Sequence, residues 1–258
     1  MIRLPFMQRG LACAAIVSAS LASTAFAAEI KVLSASAIEP GLKAAASAFG
    51  KQTGHSVAIT FNTAPALRQR MQANPPFDVV IAPPAVIGEF AAAGQLAETR
   101  ANVGRVGMGV AVRAGAPIPN ISSADALKHS ILDAQSLVFN RASTGLYFES
   151  LLKKMGIDAK VEGKSTRYPD GAAVMEHVLK GGGPGAAREI GFGAMTEILL
   201  YEAKGLKLVG PVPAEVQNYT AYTAAPLVSS TQAELAQQFV AFLAGPGKPL
   251  FVAAGVTD

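Results

Sequence analysis

The chain has 258 residues, half of them hydrophobic, with no tryptophan, one cysteine and a formal charge of +4. That length is enough for one large domain or two small ones with a good core. One cysteine excludes a disulfide-built fold, and the lack of any Lys/Arg run argues against a nucleic-acid partner.

Residues 1–27 read as a secretory leader. Met1 to Gly10 carries Arg3 and Arg9 and no acid, and Leu11 to Phe26 is apolar with small polar residues. Ala25-Phe26-Ala27 has the small-x-small pattern of a cleavage site. The apolar stretch is too short and too rich in Ser and Thr for a comfortable bilayer span. Cleavage after Ala27 removes Cys13, and with Arg3 and Arg9 gone the charge falls to about +2. The expectation is an exported, disulfide-free monomer.

From Ala28 on, strand-like runs alternate with helix-like ones. Ile30 to Leu33 is a buried-strand run that stops in Ser34-Ala35-Ser36-Ala37 and turns into a helix with Leu42, Ala45, Ala46 and Phe49 on one face. Such a junction points several unpaired backbone N–H groups at one spot, which suits an anion. The pattern repeats. Ser56 to Phe61 is β-branched, Asn62-Thr63-Ala64-Pro65 starts a helix with Thr63 as N-cap, and Leu67 and Met71 mark its inner face. Asn74-Pro75-Pro76 breaks that helix; Asp78 to Ala82 is a third strand, stopped by Pro83-Pro84 at another helix start. Three such units in a row imply a parallel sheet with right-handed crossovers.

Val106 to Arg113 reads as a strand leaving this first lobe. A short helix follows Ser122 and Ser123, then a strand over Ser136 to Phe139. The turn Asn140 to Gly145, which holds Arg141, Ser143 and Thr144, opens a helix from Leu146 to Met155. Further elements are expected as a strand near Ala159 to Lys164, a helix from Ala172 to Lys180 and a strand from Glu189 to Phe192, with Gly181 to Gly185 as a loop. Tyr219 to Val228 returns to the first lobe, and helices from Gln232 to Leu243 and Lys248 to Ala254 pack on it. The expected fold is α/β and two-lobed. Each lobe is a mostly parallel sheet flanked by helices, lobe 1 being residues 28–112 and 223–258 and lobe 2 residues 113–222. A ligand cleft lies between them, beyond the carboxyl ends of the strands, with hinges near Arg113 and Tyr222.

The runs Lys31-Val32-Leu33-Ser34-Ala35-Ser36-Ala37, Thr60-Phe61-Asn62-Thr63-Ala64 and Phe77-Asp78-Val79-Val80-Ile81 resemble the periplasmic molybdate-binding proteins of ABC importers. Gly109-Val110-Ala111-Val112 and the segment Phe239 to Gly255 are similar too. The resemblance implies a periplasmic binding protein fold. It also implies a small anion held by N–H and hydroxyl groups, and delivery to an ABC permease in the inner membrane. Ligand contacts are then expected from Ser34, Ala35, Ser36 and Ala37, from Asn62, Thr63 and Ala64, and from Ser143 and Thr144. Ala37, Ala64 and Ala194 stand where that family carries hydroxyl side chains. Arg68, Arg141 and Arg167 offer cations instead, and Arg pairs well with planar carboxylates. The expected ligand is an oxyanion or, favoured by the arginines, a di- or tricarboxylate.

The same broad group is similar to periplasmic aconitate isomerase, an enzyme without metal or cofactor. That resemblance implies an alternative activity, cis/trans-aconitate interconversion by proton abstraction, with Asp170, Glu197 and Tyr222 as candidate bases. G-x-S-x-G, H-E-x-x-H and Walker motifs are all absent, and no metal or cofactor is expected. His55, His129 and His177 are expected on the surface.

Overall fold

A computed structural model of the chain describes residues 27–73, 76–181 and 186–258. The leader with Cys13, the break at Asn74-Pro75 and most of the glycine loop after Gly181 therefore lie outside the described residues. The first units are β1 (Glu29–Ala35), α1 (Glu39–Thr53), β2 (Ser56–Asn62), α2 (Ala64–Gln72), β3 (Val79–Ala82) and α3 (Pro84–Ala92). Then come β4 (Ala101–Arg113), α4 (Ala124–Asp133), β5 (Ser136–Asn140), α5 (Ser143–Lys154), α6 (Asp158–Val161) and β6 (Ser165–Tyr168). α7 (Gly171–Lys180), β7 (Glu189–Ala194), α8 (Met195–Glu202) and β8 (Leu206–Pro211) follow. β9 (Tyr219–Pro226), α9 (Ala233–Ala244) and α10 (Lys248–Ala253) end the chain.

The strands lie in the order β2-β1-β3-β9-β4-β7-β5-β6, with β8 also on β4. β1 pairs in parallel with β2 and β3, and β5 in parallel with β6 and β7. β4 is common to two sheets. Its Ala101 to Gly107 pairs with β9, and from Met108 on it pairs with β7 and β8. The cores change over at the same point: Val106 packs with Val32, Ile81, Phe239 and Val240, whereas Met108 packs with Phe139, Phe148 and Phe192. Phe148 stacks on Phe192 (3.9 Å between centroids) and meets Phe139 edge-on at 5.0 Å. On the other face of the β5–β7 sheet, Val138 packs with Val174, Met175 and Ile198. Alternate residues of β5 thus enter different cores, as a strand's period of two requires.

Three local expectations need correction. The strand expected over Ala159 to Lys164 is helical: Asp158 sits in the first turn of α6, where a carboxylate is favourable, and Val161 is buried beneath it. The strand begins only at Ser165, whose Oγ donates to the Val161 carbonyl at 2.8 Å. β8 was not expected, because Leu-Lys-Leu-Val-Gly-Pro is an edge with mixed exposure. His177 is not a surface residue. It is half-buried, its Nδ1 is 2.6 Å from the Tyr168 hydroxyl and its Nε2 3.1 Å from Glu189 Oε2.

Two glycines show what the junctions tolerate. A Cβ at Gly145 would lie 1.6 Å from the Asn140 carbonyl oxygen, and backbone cannot yield there. Gly88, on the exposed side of α3, has nothing within 4 Å of its Cβ position. Gly145→Ala should therefore cost about 1–3 kcal/mol or more by forced displacement. Gly88→Ala should stabilise by about 0.5–1 kcal/mol through backbone entropy. Urea midpoints moving in opposite directions would bear this out; a neutral Gly145→Ala would contradict it.

Candidate functional site

Parallel strands bring the starts of their following helices to one end of each sheet. A cleft opens there, lined by Ala35, Ser36, Ala37, Asn62, Thr63, Ala64 and Pro83 from the first lobe. Asn140, Ala142, Ser143, Thr144, Gly171 and Glu197 face them from the second, and Tyr222 lies on β9 between the two. The cavity is small, ≈ 30 Å³, room for a couple of waters.

The N-cap residues of α1, α2, α3 and α5 make no side-chain cap hydrogen bond. Asn140, 2 % exposed, shapes the α5 start: its Oδ1 accepts from the N–H groups of Ala142 and Gly145, each at 3.0 Å. Asp170 caps α7 by accepting from Ala173 N–H at 2.8 Å. Asn62 Nδ2 is buried without a hydrogen-bond partner, a donor that a ligand oxygen would satisfy. Among the described residues lining the cleft there is no Lys or Arg. Positive potential comes from the helix N-termini, each equivalent to about half a charge.

One carboxylate faces these amides. Glu197 is 9 % exposed and sits in the first turn of α8, accepting a hydrogen bond from the Ala194 backbone N–H. That bond helps the charged form, and a structural capping role would need nothing more. Burial outweighs it, and with smaller pushes from Asp170 and Glu39 the carboxyl rises to about 7. Its Oε2 lies against Gly171, where a Cβ would come within 1.9 Å of it. Tyr222, 4 % exposed, is raised well above the ordinary phenol range, first by burial and then by the charge of Glu197, while a hydrogen bond with the Thr220 side chain pulls weakly the other way. Next to Glu197, Thr196 Oγ1 donates to the Ala37 carbonyl and ties α8 to the first lobe.

The family described as bacterial extracellular solute-binding protein matches residues 30–256. The chain belongs to that family. This solute-binding protein is 30 % identical over 222 residues to an aconitate isomerase from Pseudomonas sp., a match spanning 83 % of this chain and 82 % of the relative. Its fold is that of the Azotobacter vinelandii periplasmic molybdate-binding protein, with TM-score 0.74, 19 % identity, and 89 % and 99 % of the two chains covered. The sulfate-binding protein of Mycobacterium tuberculosis H37Rv is similar at TM-score 0.70 and 17 % identity, with coverage of 89 % and 86 %.

Of the ligand-contact residues expected from the sequence, the solute-binding protein brings Ala35, Ser36, Ala37, Asn62, Thr63, Ala64, Ser143 and Thr144 together in the cleft. Ser34 is fully buried and its Oγ turns to the Ala35 carbonyl at 3.2 Å. The arginines are placed elsewhere. Arg68 is in a two-bond pair with Glu89 on the surface, at 2.7 and 2.9 Å. Arg167 pairs with Glu149 at 2.6 Å, flanking the Phe139 ring. Arg141 is exposed and not among the lining residues. Of the three candidate bases, Glu197 and Tyr222 reach the cleft while Asp170 is occupied as a cap. Asn140, Ala142, Pro83 and Gly171 were missed; a Gly opening the helix after Tyr168-Pro169-Asp170 was the available signal for the last.

Raising Glu197 destabilises the fold at neutral pH. Below about pH 4.5 the carboxyl is protonated folded and unfolded alike. As pH rises towards 7 the unfolded chain ionises first, so stability is lost across that window, by an amount on the order of 3 kcal/mol. Glu197→Gln keeps the acceptor for Ala194 and removes the penalty. Its Tm should exceed that of the wild type by several degrees at pH 8 and hardly at all at pH 4.5; equal shifts at both pH values would refute the burial argument.

Proposed function

We propose that this protein interconverts cis- and trans-aconitate, or a closely similar unsaturated tricarboxylate, with Glu197 as the proton-carrying base. The observation that supports it is a buried carboxylate inside a cleft otherwise built to attract anions. A carboxylate there weakens capture of a fully ionised oxyanion, since like charges repel at short range. It is what an allylic proton transfer requires. Glu197 takes a proton from the substrate CH₂, the electron pair spreads over the three-carbon allyl unit and its carboxylates, and the proton returns at the far carbon. The double bond moves and the geometry changes without any redox step. Helix N-termini and the Asn62 amide would hold the carboxylates, and their fixed dipoles would stabilise the charge that develops. The Pseudomonas sp. relative supports the substrate class. The reading includes export to the periplasm, supported by the leader-like residues 1–27 and by the family.

A second reading is capture of an oxyanion for an ABC importer, favoured by the small cation-free cleft and the molybdate- and sulfate-binding neighbours. The two separate cleanly. On the first, purified protein consumes trans-aconitate, followed by ultraviolet absorbance and NMR, and kcat/KM rises about tenfold per pH unit up to about 7. Glu197→Gln should lower kcat by roughly 10²–10⁴-fold. If neither isomer is consumed while molybdate, tungstate or sulfate raises Tm, and raises it further in Glu197→Gln, the importer reading replaces this one.

A further inference from the structure

We infer that Tyr222 is a second catalytic residue, its phenol O–H donating a hydrogen bond to the substrate carboxylate on which charge gathers when Glu197 takes the allylic proton. The inference rests on the isomerase reading. Among the fourteen described residues that line the cleft, Glu197 and Tyr222 alone carry titratable side chains. Proton abstraction beside a carboxylate creates a far more basic oxygen than the ground state holds. A donor that strengthens its bond at that moment lowers the barrier, whereas one that binds both states equally does not. A phenol is intrinsically a stronger donor than the alcohol hydroxyls of this cleft, those of Ser36, Thr63, Ser143 and Thr144. Burial and the charge of Glu197 keep it protonated at any working pH, so it serves as donor and not as base.

The backbone holds it firmly. Tyr222 sits on β9, a strand shared by the joining region of the lobes, opposite Gly104 of β4. β4 changes register between Asn102 and Gly104, leaving an extra residue on its side of the ladder. Such a bulge bends a strand pair and re-aims what lies across from it. Gly104 has φ 133°, and a Cβ there would come within 2.6 Å of Val256 and 2.7 Å of the Thr257 carbonyl, so the position admits only glycine. Asn102 Oδ1 fixes the bulge by accepting from Gly104 N–H at 3.1 Å. The Tyr222 ring packs in the first lobe's core while the residue also lines the cleft. Base and donor thus come from different elements, α8 and β9, that meet in one cavity. The hydrogen bond is given and withdrawn within each turnover, and the phenol ends unchanged.

Tyr222→Phe keeps the ring and tests the hydroxyl alone. With trans-aconitate, kcat should fall about 10²-fold, the loss typical of one oxyanion donor, and KM should stay within about three-fold. The rise of kcat/KM towards about pH 7 should persist, since Glu197 is intact. Exchange of allylic hydrogen with D₂O, read by NMR, should slow in step with isomerisation, because the phenol eases formation of the carbanion. A variant with kcat within about three-fold of the wild type would overturn the role while leaving the isomerase reading standing. So would a kcat loss accompanied by an equal KM rise and a lowered Tm, which would mean the hydroxyl only props the fold. A wild type that turns over neither isomer would remove reading and role together.

Discussion

Backbone N–H groups in the first turn of a helix have no partner within it, and here the starts of α2, α3, α5, α7 and α8, with the Ser36-Ala37 turn that precedes α1, line one cleft. They do so because β1, β2 and β3 run one way and β5, β6 and β7 share a direction, so each following helix begins at the same end. The cleft therefore attracts anions with peptide dipoles instead of side-chain cations. Dipoles anchored in rigid secondary structure need no reorganisation when charge arrives. An arginine would have to be ordered and stripped of water first. Arg68 and Arg167 are held in surface pairs with Glu89 and Glu149, away from the cleft.

Within that field Glu197 is the exception, and the surroundings show how it is tolerated. The Ala194 N–H supports its charged form, Gly171 leaves room for its Oε2, and burial then makes ionisation costly. A glutamine would satisfy the same backbone donor without the cost. A group that lowers stability where a neutral replacement would not is expected where chemistry needs it. This separates Glu197 from Glu189, which is also buried but takes hydrogen bonds from Ser136 and meets His177 within the second lobe's own packing.

The fold and the cleft floor were legible because both are local. Ser34-Ala35-Ser36-Ala37 and Asn62-Thr63-Ala64 advertise strand ends and helix starts by residue type alone, and parallel topology then makes them neighbours. Side-chain direction was not legible. Arg68 follows Leu67, a buried position, and only its distance to Glu89 on α3 decides that it turns to the surface. Glu197 looked like one acid among several, since neither burial nor the approach of Gly171 is encoded in its own neighbourhood. The α6 turn failed for a different reason: Ala-Lys-Val-Glu has no periodicity long enough to choose between helix and strand. Tertiary packing of Val161 made that choice.

The cavity of ≈ 30 Å³ is too small for a six-carbon acid, so the proposed isomerase activity requires the lobes to part to admit one. At Met108, where β4 changes partners, the Gln217 side chain adds to the backbone bonds with Asn218 and Val212: Oε1 accepts from Met108 N–H at 2.8 Å and Nε2 donates to its carbonyl at 3.0 Å. In this structure α8 docks on the first lobe through the Thr196 hydroxyl and the Ala37 carbonyl, beside the buried Glu197. The desolvation that raises this carboxyl is therefore a property of the packed cleft and not of the residue alone. In an open cleft, water would return it towards an ordinary acid.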